Sequence, residues 1–360
     1  MPTISEGSCT IELPEQTTKV SKEQDVFYNP AMRMNRDISV LLAKIYNPKD
    51  CLLPLASSGV RGIRLIKEAK IPHISLNDIN PDAVSVMQQN LEENDVTAEI
   101  TQKEANRRML EGKWNYIDID PFGSPNPFIQ SALFSLRHKG IIAITATDTA
   151  PLSGTYITTC RRKYWARPLK NHLMHEAGLR ILIRKAQLIG MQFEMALIPL
   201  LSYWEKHYFR VFFQVLKSKA QATKLLAAHS NLLFNPKTTE HTLQDWIQQN
   251  QQNRYAGPLW TGSLGDPSLI QKMIATADER IDQKTIRFLS DLETETQITE
   301  PFFYDIHRLA KVLRLKRIPK LEKIIASLQK KGFVAARTHF SPSGIKTNAD
   351  LTTIQEELSD

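Results

Sequence analysis

A chain of 360 residues is long for one average domain and suits two, and 42 % hydrophobic with 23 % charged residues is the composition of a globular protein with a sizeable core. The net charge of +8 favours a polyanionic partner. Three widely spaced cysteines, Cys9, Cys51 and Cys160, exclude a disulfide framework and any C-x-x-C metal spacing, and no apolar run approaches the roughly 18 residues of a membrane span. The expectation is therefore a protein of the reducing cytoplasm, with no metal, no membrane and no obligate protein partner evident.

In chain order, Ile4, Ile11 and Leu13 alternate with polar residues and suit a small hairpin or arm. Phe27 and Tyr28 precede an Asn-Pro step and a helix whose Ile38, Leu41, Leu42 and Ile45 share one face. The aromatic pair reads either as the anchor of that helix or as an exposed substrate lip. From Cys51 the text turns to strand, glycine turn, helix, with Gly59 and Gly62 in place of a full dinucleotide fingerprint. A second strand ends in Asp78, about twenty residues on, where a carboxylate accepts ribose hydroxyls. Asn80 and Pro81 then cap a helix, and a third strand ends near Glu104, which reads equally as a surface acid or as an acceptor for an adenine amino group beside Ala105.

The fourth strand, Tyr116 to Ile119, ends in Asp120-Pro121-Phe122-Gly123. A carboxylate, a carbonyl and an aromatic face within three residues suit an exocyclic amine on a nucleobase: two acceptors aim the nitrogen while the ring stacks on its plane. The plainer alternative is that Asp120 caps the next segment and Phe122 is core. Residues 126–140 read as a helix ended by Gly140, and a fifth strand ends at Thr147 and Asp148. Ligands of open α/β sheets bind at the carboxyl ends of strands, so the pattern gathers the glycine turn, Asp78, Glu104 and Asp120 on one rim.

Arg161, Arg162, Lys163, Arg167 and Lys170 follow, interleaved with Tyr164 and Trp165 and without an acid, which reads as a surface for a phosphate backbone and unstacked bases or else as a solvated charge run. Residues 193–217 read as two long strands joined by a short polar link, a final hairpin that fits a Rossmann-like sheet whose last strand is antiparallel. The expected domains are 1–218, with an N-terminal substrate arm, and 219–360, a smaller basic α+β domain whose helix-helix-hairpin pattern suits a winged-helix-like part.

Together, FYNPAMRMNRD, SSGVRG, DIDPFGSP, ATDTAPLSGTY, HEAGLR, GPLWTGSLGD and THFSPSGIKTNAD resemble the tRNA guanosine-26 N2,N2-dimethyltransferase family, over about Val26 to Asp350. The resemblance implies a class I methyltransferase domain using S-adenosylmethionine, and tRNA as partner. It implies cofactor contacts from Arg36, Gly59, Arg61, Asp78, Ile79, Glu104 and Ala105. Asp120, Pro121 and Phe122 would be the catalytic group, with Phe27, Asn35, Asp148, Arg161, Arg162 and Lys163 on the substrate. Two departures stand out: no cysteine pairs precede GPLW, and Glu104 stands where relatives often carry Asp. An adenine amino-methyltransferase and a non-catalytic tRNA-binding protein on the same fold are the rival readings.

Overall fold

The computed structural model describes residues 3–13, 26, 28–245 and 254–359. Phe27 and the glutamine-rich stretch 246–253 lie outside the described residues.

The N-terminal arm is a hairpin of β1 (Thr3–Glu6) and β2 (Cys9–Glu12), paired Thr3↔Glu12. Asn29 accepts a hydrogen bond from the Ala31 N–H and starts a short 3-10 turn that leads into α1 (Arg33–Tyr46), which ends at Asn47 in the left-handed conformation. Then come β3 (Asp50–Leu53), α2 (Val60–Ala69), β4 (His73–Asn77), α3 (Pro81–Glu93), β5 (Glu99–Thr101), α4 (Ala105–Leu110) and β6 (Trp114–Ile119). The expected cap of α3 is present, Asn80 accepting from the Asp82 N–H with Pro81 at the first helical position.

The helix after the Asp-Pro-Phe turn, α5 (Asn126–Ser135), stops before Gly140, and β7 (Leu136–Ala146) already runs through that glycine. No breaker separates the two; the strand instead absorbs an irregularity. Lys139 takes φ 63°, and the pairing with β6 shifts register between Trp114 and Tyr116. The short helices α6 (Thr149–Leu152) and α7 (Ile157–Tyr164) precede the long α8 (Met174–Met191), and β8 (Met195–Glu205) and β9 (Tyr208–Lys217) form the expected hairpin.

These strands make a seven-stranded sheet in the order β5-β4-β3-β6-β7-β9-β8. The strands β5, β4, β3, β6 and β7 are parallel. The final strand opposes them: Arg210 at the start of β9 donates to Thr145 Oγ1 at the end of β7 (2.8 Å), and the Lys217 N–H at its end meets His138 Nδ1 near the start of β7 (3.2 Å). The result is a Rossmann-like methyltransferase sheet with an antiparallel last strand.

The remaining elements are α9 (Lys219–Leu226), β10 (His229–Phe234), β11 (His241–Gln244), β12 (Arg254–Trp260), α10 (Pro267–Ala275) and α11 (Gln283–Thr296). They are followed by β13 (Tyr304–Asp305), α12 (Ile306–Val312), α13 (Leu321–Lys330), β14 (Ala335–Thr338), β15 (Ser341–Thr347) and α14 (Leu351–Ser359). The run β13-α12-α13-β14-β15, with sheet order β13-β15-β14, is the winged-helix-like part, closed around Ile306, Leu309, Ile324, Leu328, Ile345 and Ile354.

Compactness divides the chain into Met1–Thr147 with Arg210–Lys217 and Gln271–Leu289, and Asp148–Phe209 with Ser218–Ile270 and Ser290–Asp360. This differs from the boundary expected at Ser218. The physical reason is α8: its Arg180 donates to the carbonyls of Trp260 (3.0 Å) and Gly262 (2.9 Å), which binds it to the C-terminal elements.

Candidate active site

Parallel register aligns the carboxyl ends of β3, β4, β5 and β6, and the loops beyond β3 and β5 are braced by one buried side chain at the end of β4. Asn77 donates to the carbonyls of Pro54 (3.0 Å) and Lys103 (2.9 Å), and its oxygen accepts from the Lys103 N–H (3.1 Å) and the Thr101 hydroxyl (2.8 Å). Gly59 starts α2 at φ 77°, a left-handed conformation that favours glycine. Asp78 ties this turn down, its Oδ2 accepting from the Ser57 N–H (2.9 Å) and its Oδ1 from the Asn80 N–H (3.1 Å). Each oxygen keeps a lone pair for a hydroxyl donor. Ile79 beside it is 63 % exposed, an apolar face on the rim.

Glu104 caps α4 rather than ending a strand. Its carboxylate accepts from the backbone N–H groups of Asn106 (3.0 Å) and Arg107 (2.9 Å), and Ala105 is buried behind it. Burial works against its charge, yet these N–H groups hold the carboxyl below the usual range.

At the end of β6, Asp120 is partly open, and its Oδ2 accepts from Arg61 Nη2. The same guanidinium donates through Nη1 to Asn35 Oδ1 (2.7 Å) and Ser39 Oγ (2.8 Å) and lies 3.6 Å from Asp118. Asp118 is the hub beneath: Arg210 grips it through both oxygens (2.8 and 2.7 Å), and the Tyr116 hydroxyl donates to it (2.7 Å). Burial alone would push the Asp118 carboxyl up; Arg210 and Arg61 overcome that and bring it down to about 2. Phe122 is 51 % exposed, so it is not core. Pro121 is buried, and its carbonyl lies 3.5 Å from the Thr147 hydroxyl, which also accepts from the Gly123 N–H (2.7 Å).

Arg61, Asp78, Ile79, Glu104 and the Asp120-Pro121-Phe122 turn thus belong to one unit and one rim. Asn35, expected on the substrate, is buried and holds Arg61. Arg36 is also buried: its guanidinium pairs with Glu6 and lies over the Tyr28 ring, 4.9 Å from the centroid. Tyr28 itself donates to Glu6 (2.8 Å), so of the expected aromatic pair the described member is an anchor. Asp118, Arg210, Ser39, Thr145 and Asn77 were not singled out by the sequence reading. Asp118 and Arg210 are 92 residues apart, and no local pattern joins them.

The other substrate residues lie in the second unit. Asp148 accepts from the Tyr164 hydroxyl (2.5 Å) and sits 3.5 Å from Lys163; burial raises its carboxyl above the usual range. Arg161 and Arg162 project from α7 into solvent, with Tyr156, Ile157 and Trp165 exposed around them.

The family model described as N2,N2-dimethylguanosine tRNA methyltransferase matches residues 7–359. The tRNA (guanine(26)-N(2))-dimethyltransferase of Pyrococcus horikoshii is 35 % identical over 376 residues, covering 99 % of this chain and 97 % of that protein. The tRNA (guanine(26)-N(2)/guanine(27)-N(2))-dimethyltransferase of Aquifex aeolicus is 35 % identical over 384 residues, covering 100 % of this chain and 96 % of its own length. Among solved structures, Trm1 of Pyrococcus horikoshii in complex with S-adenosyl-L-methionine superposes with a TM-score of 0.91 at 34 % identity, covering 99 % of this chain and all of that one. With its full length matched in sequence and its fold in structure, the chain belongs to the N2,N2-dimethylguanosine tRNA methyltransferase family.

Proposed function

We propose that this enzyme transfers methyl groups from S-adenosylmethionine to the exocyclic 2-amino group of guanosine 26 in tRNA, giving N2-methyl- and then N2,N2-dimethylguanosine. The observation that carries the reading is the turn after β6, where Asp120 is fixed by Arg61 at the rim and Phe122 projects beside it.

The rim residues fit the cofactor by their chemistry. Two carboxylates, Asp78 and Glu104, stand at neighbouring strand ends with the exposed Ile79 on the same loop, an acceptor set for ribose hydroxyls and an adenine amine with an apolar face for the ring. When bound, S-adenosylmethionine would supply a sulfonium methyl group and leave as the neutral thioether, while the amine nitrogen gives up a proton to Asp120 or to water. Arg36 would reach it only by giving up part of its pairing with Glu6.

The guanine is drawn out of its stack at a cost of a few kcal/mol and lies on the Phe122 ring. Arg61 occupies Asp120 Oδ2, so Oδ1 and the Pro121 carbonyl are the acceptors offered to the amine. Two such bonds fix the direction of the nitrogen lone pair, and positioning supplies most of the rate. Arg61 is itself held by Asn35, Ser39 and Asp118, which leaves the acceptor little freedom to turn. Arg161, Arg162 and Lys163 would serve the phosphates, with Asp148 setting the position of Lys163.

The test is mass spectrometry of nucleosides from unmodified tRNA incubated with the enzyme and S-adenosylmethionine, with guanosine 26 and guanosine 27 each replaced in turn. Dimethylguanosine that vanishes with guanosine 26 is the expected result. Methyladenosine, or no methylated guanosine despite tight tRNA binding, would overturn it. Asp120→Ala should abolish turnover and leave tRNA affinity near that of the native enzyme; equal loss of both would refute the role of Asp120.

A further inference from the structure

The winged-helix-like part holds a cavity for which the methyl-transfer chemistry has no use. It measures about 160 Å³ and is lined by His307, Ile318, Pro319, Leu321, Pro342 and Ser343, at the start of α12, the α12–α13 turn and the first residues of β15. Its walls are ring and alkyl surfaces, and Ile318 is 43 % exposed at its mouth. The volume falls below the about 300 Å³ at which pockets for drug-sized ligands begin, so it admits a single ring system.

The surroundings select an anionic ligand. Between Ile306 and Leu321 the chain has no acidic residue, while Arg308, Lys311, Arg314, Lys316, Arg317 and Lys320 are all exposed. Among the described residues none of these six takes part in an ion pair. The flanking acids are engaged, Asp305 by the Ser343 hydroxyl and the Arg308 N–H and Glu322 by Arg337, and a ring-sized apolar recess inside a rim in which cations outnumber them is the pattern of a single-stranded nucleic-acid site, with cations on the phosphates and one base in the recess. One wall is polar. Ser343 Oγ donates to Asp305 (3.0 Å) and lies 3.3 Å from Ser341 Oγ, which places a hydroxyl in the wall of the recess.

We propose that this cavity seats one unstacked nucleobase of the tRNA, its neighbouring phosphates held by Lys316, Arg317 and Lys320. The proposal rests on tRNA being the substrate and names a second point, apart from the methylated base, at which it is gripped.

Full-length enzyme carrying His307→Ala or Ile318→Ala, both exposed positions, should bind an unmodified tRNA transcript about tenfold more weakly, as for loss of one stacked base. KM for tRNA should rise in parallel with kcat unchanged, and the salt dependence should keep its native slope because no phosphate contact is lost. Lys316→Ala with Arg317→Ala should instead flatten the slope by about 0.7 to 0.9 for each phosphate released. Ile318→Trp, which fills the recess without removing any group, should weaken binding as the alanine variants do. The proposal is overturned if all three cavity variants bind tRNA within twofold of the native enzyme. Native-like variants beside native enzyme that dimethylates guanosine 26 would remove the cavity and leave the methylation reading standing. Weakened variants beside native enzyme that makes no methylguanosine would do the reverse.

Discussion

Asp118→Asn tests the network beneath the acceptor most directly. The carboxylate is 2 % exposed, takes two bonds from Arg210 and one from Tyr116, and faces Arg61. An amide of the same shape turns an N–H₂ toward one guanidinium nitrogen and leaves the buried Arg210 without a counter-ion, while Arg61 keeps Asp120. Breaking a buried pair on one side costs about 3–5 kcal/mol. The pH dependence gives a second estimate. The Asp118 carboxyl stands at about 2 rather than 3.8, which contributes on the order of 2 kcal/mol, smaller because it omits the stranded Arg210. Since the folded value is the lower one, this stabilisation is complete above about pH 4 and is lost as pH falls through 2. Hydrogen exchange of the β6 and β7 amides is the assay, because it reads the stability of this sheet rather than of the whole chain. Protection should fall at least a hundredfold at pH 7, and adding Arg210→Met should restore part of it by removing the stranded charge. Unchanged protection in Asp118→Asn would show that the hub carries no load and would refute the reasoning.

Glu6→Gln should act in the same way on the arm: it strips the counter-ion from Arg36, while Arg64 keeps Asp37 and Glu68, and loosened exchange in β1 and β2 should report it. Burial opposes the Glu6 charge, but Arg36 and Arg64 bring its carboxyl from 4.5 to about 2, so the native arm should hold above pH 4.5 and detach as pH falls through 2. Gly59→Ala should cost about 1–2 kcal/mol, measured by denaturant unfolding, because alanine must take φ 77° with its Cβ 3.2 Å from Met87 Cγ. An unchanged midpoint would show that the turn relaxes. Arg161→Ala with Arg162→Ala should lower tRNA affinity and flatten its salt dependence, while equal slopes would remove α7 from the interface.

The rim was legible in the sequence because each of its parts is local. A buried strand, a turn and an acid sit within ten residues, and repetition of that unit fixes which strand ends share an edge. The junction of α5 and β7 was not legible, since Leu136 to Lys139 carry no breaker and the helix pattern continues through them. Arg36 shows the limit more sharply. The resemblance implies a cofactor contact for it, and no local pattern shows that it also pairs with Glu6, 30 residues away on another element. The same distance hides Arg210, which reads as an unremarkable residue in an apolar strand and is in fact the counter-ion that keeps Asp118 charged. Local pattern therefore supplies the rim groups proposed to meet substrate, while the groups that hold them in place come from pairings across the sheet. Those pairings exist because the final strand enters antiparallel between β7 and β8, and so brings Arg210 to the β6 end of the sheet where two aspartates, 118 and 120, need compensation. A parallel last strand would leave Lys217 there, and the hub of Asp118 with Arg210 could not form.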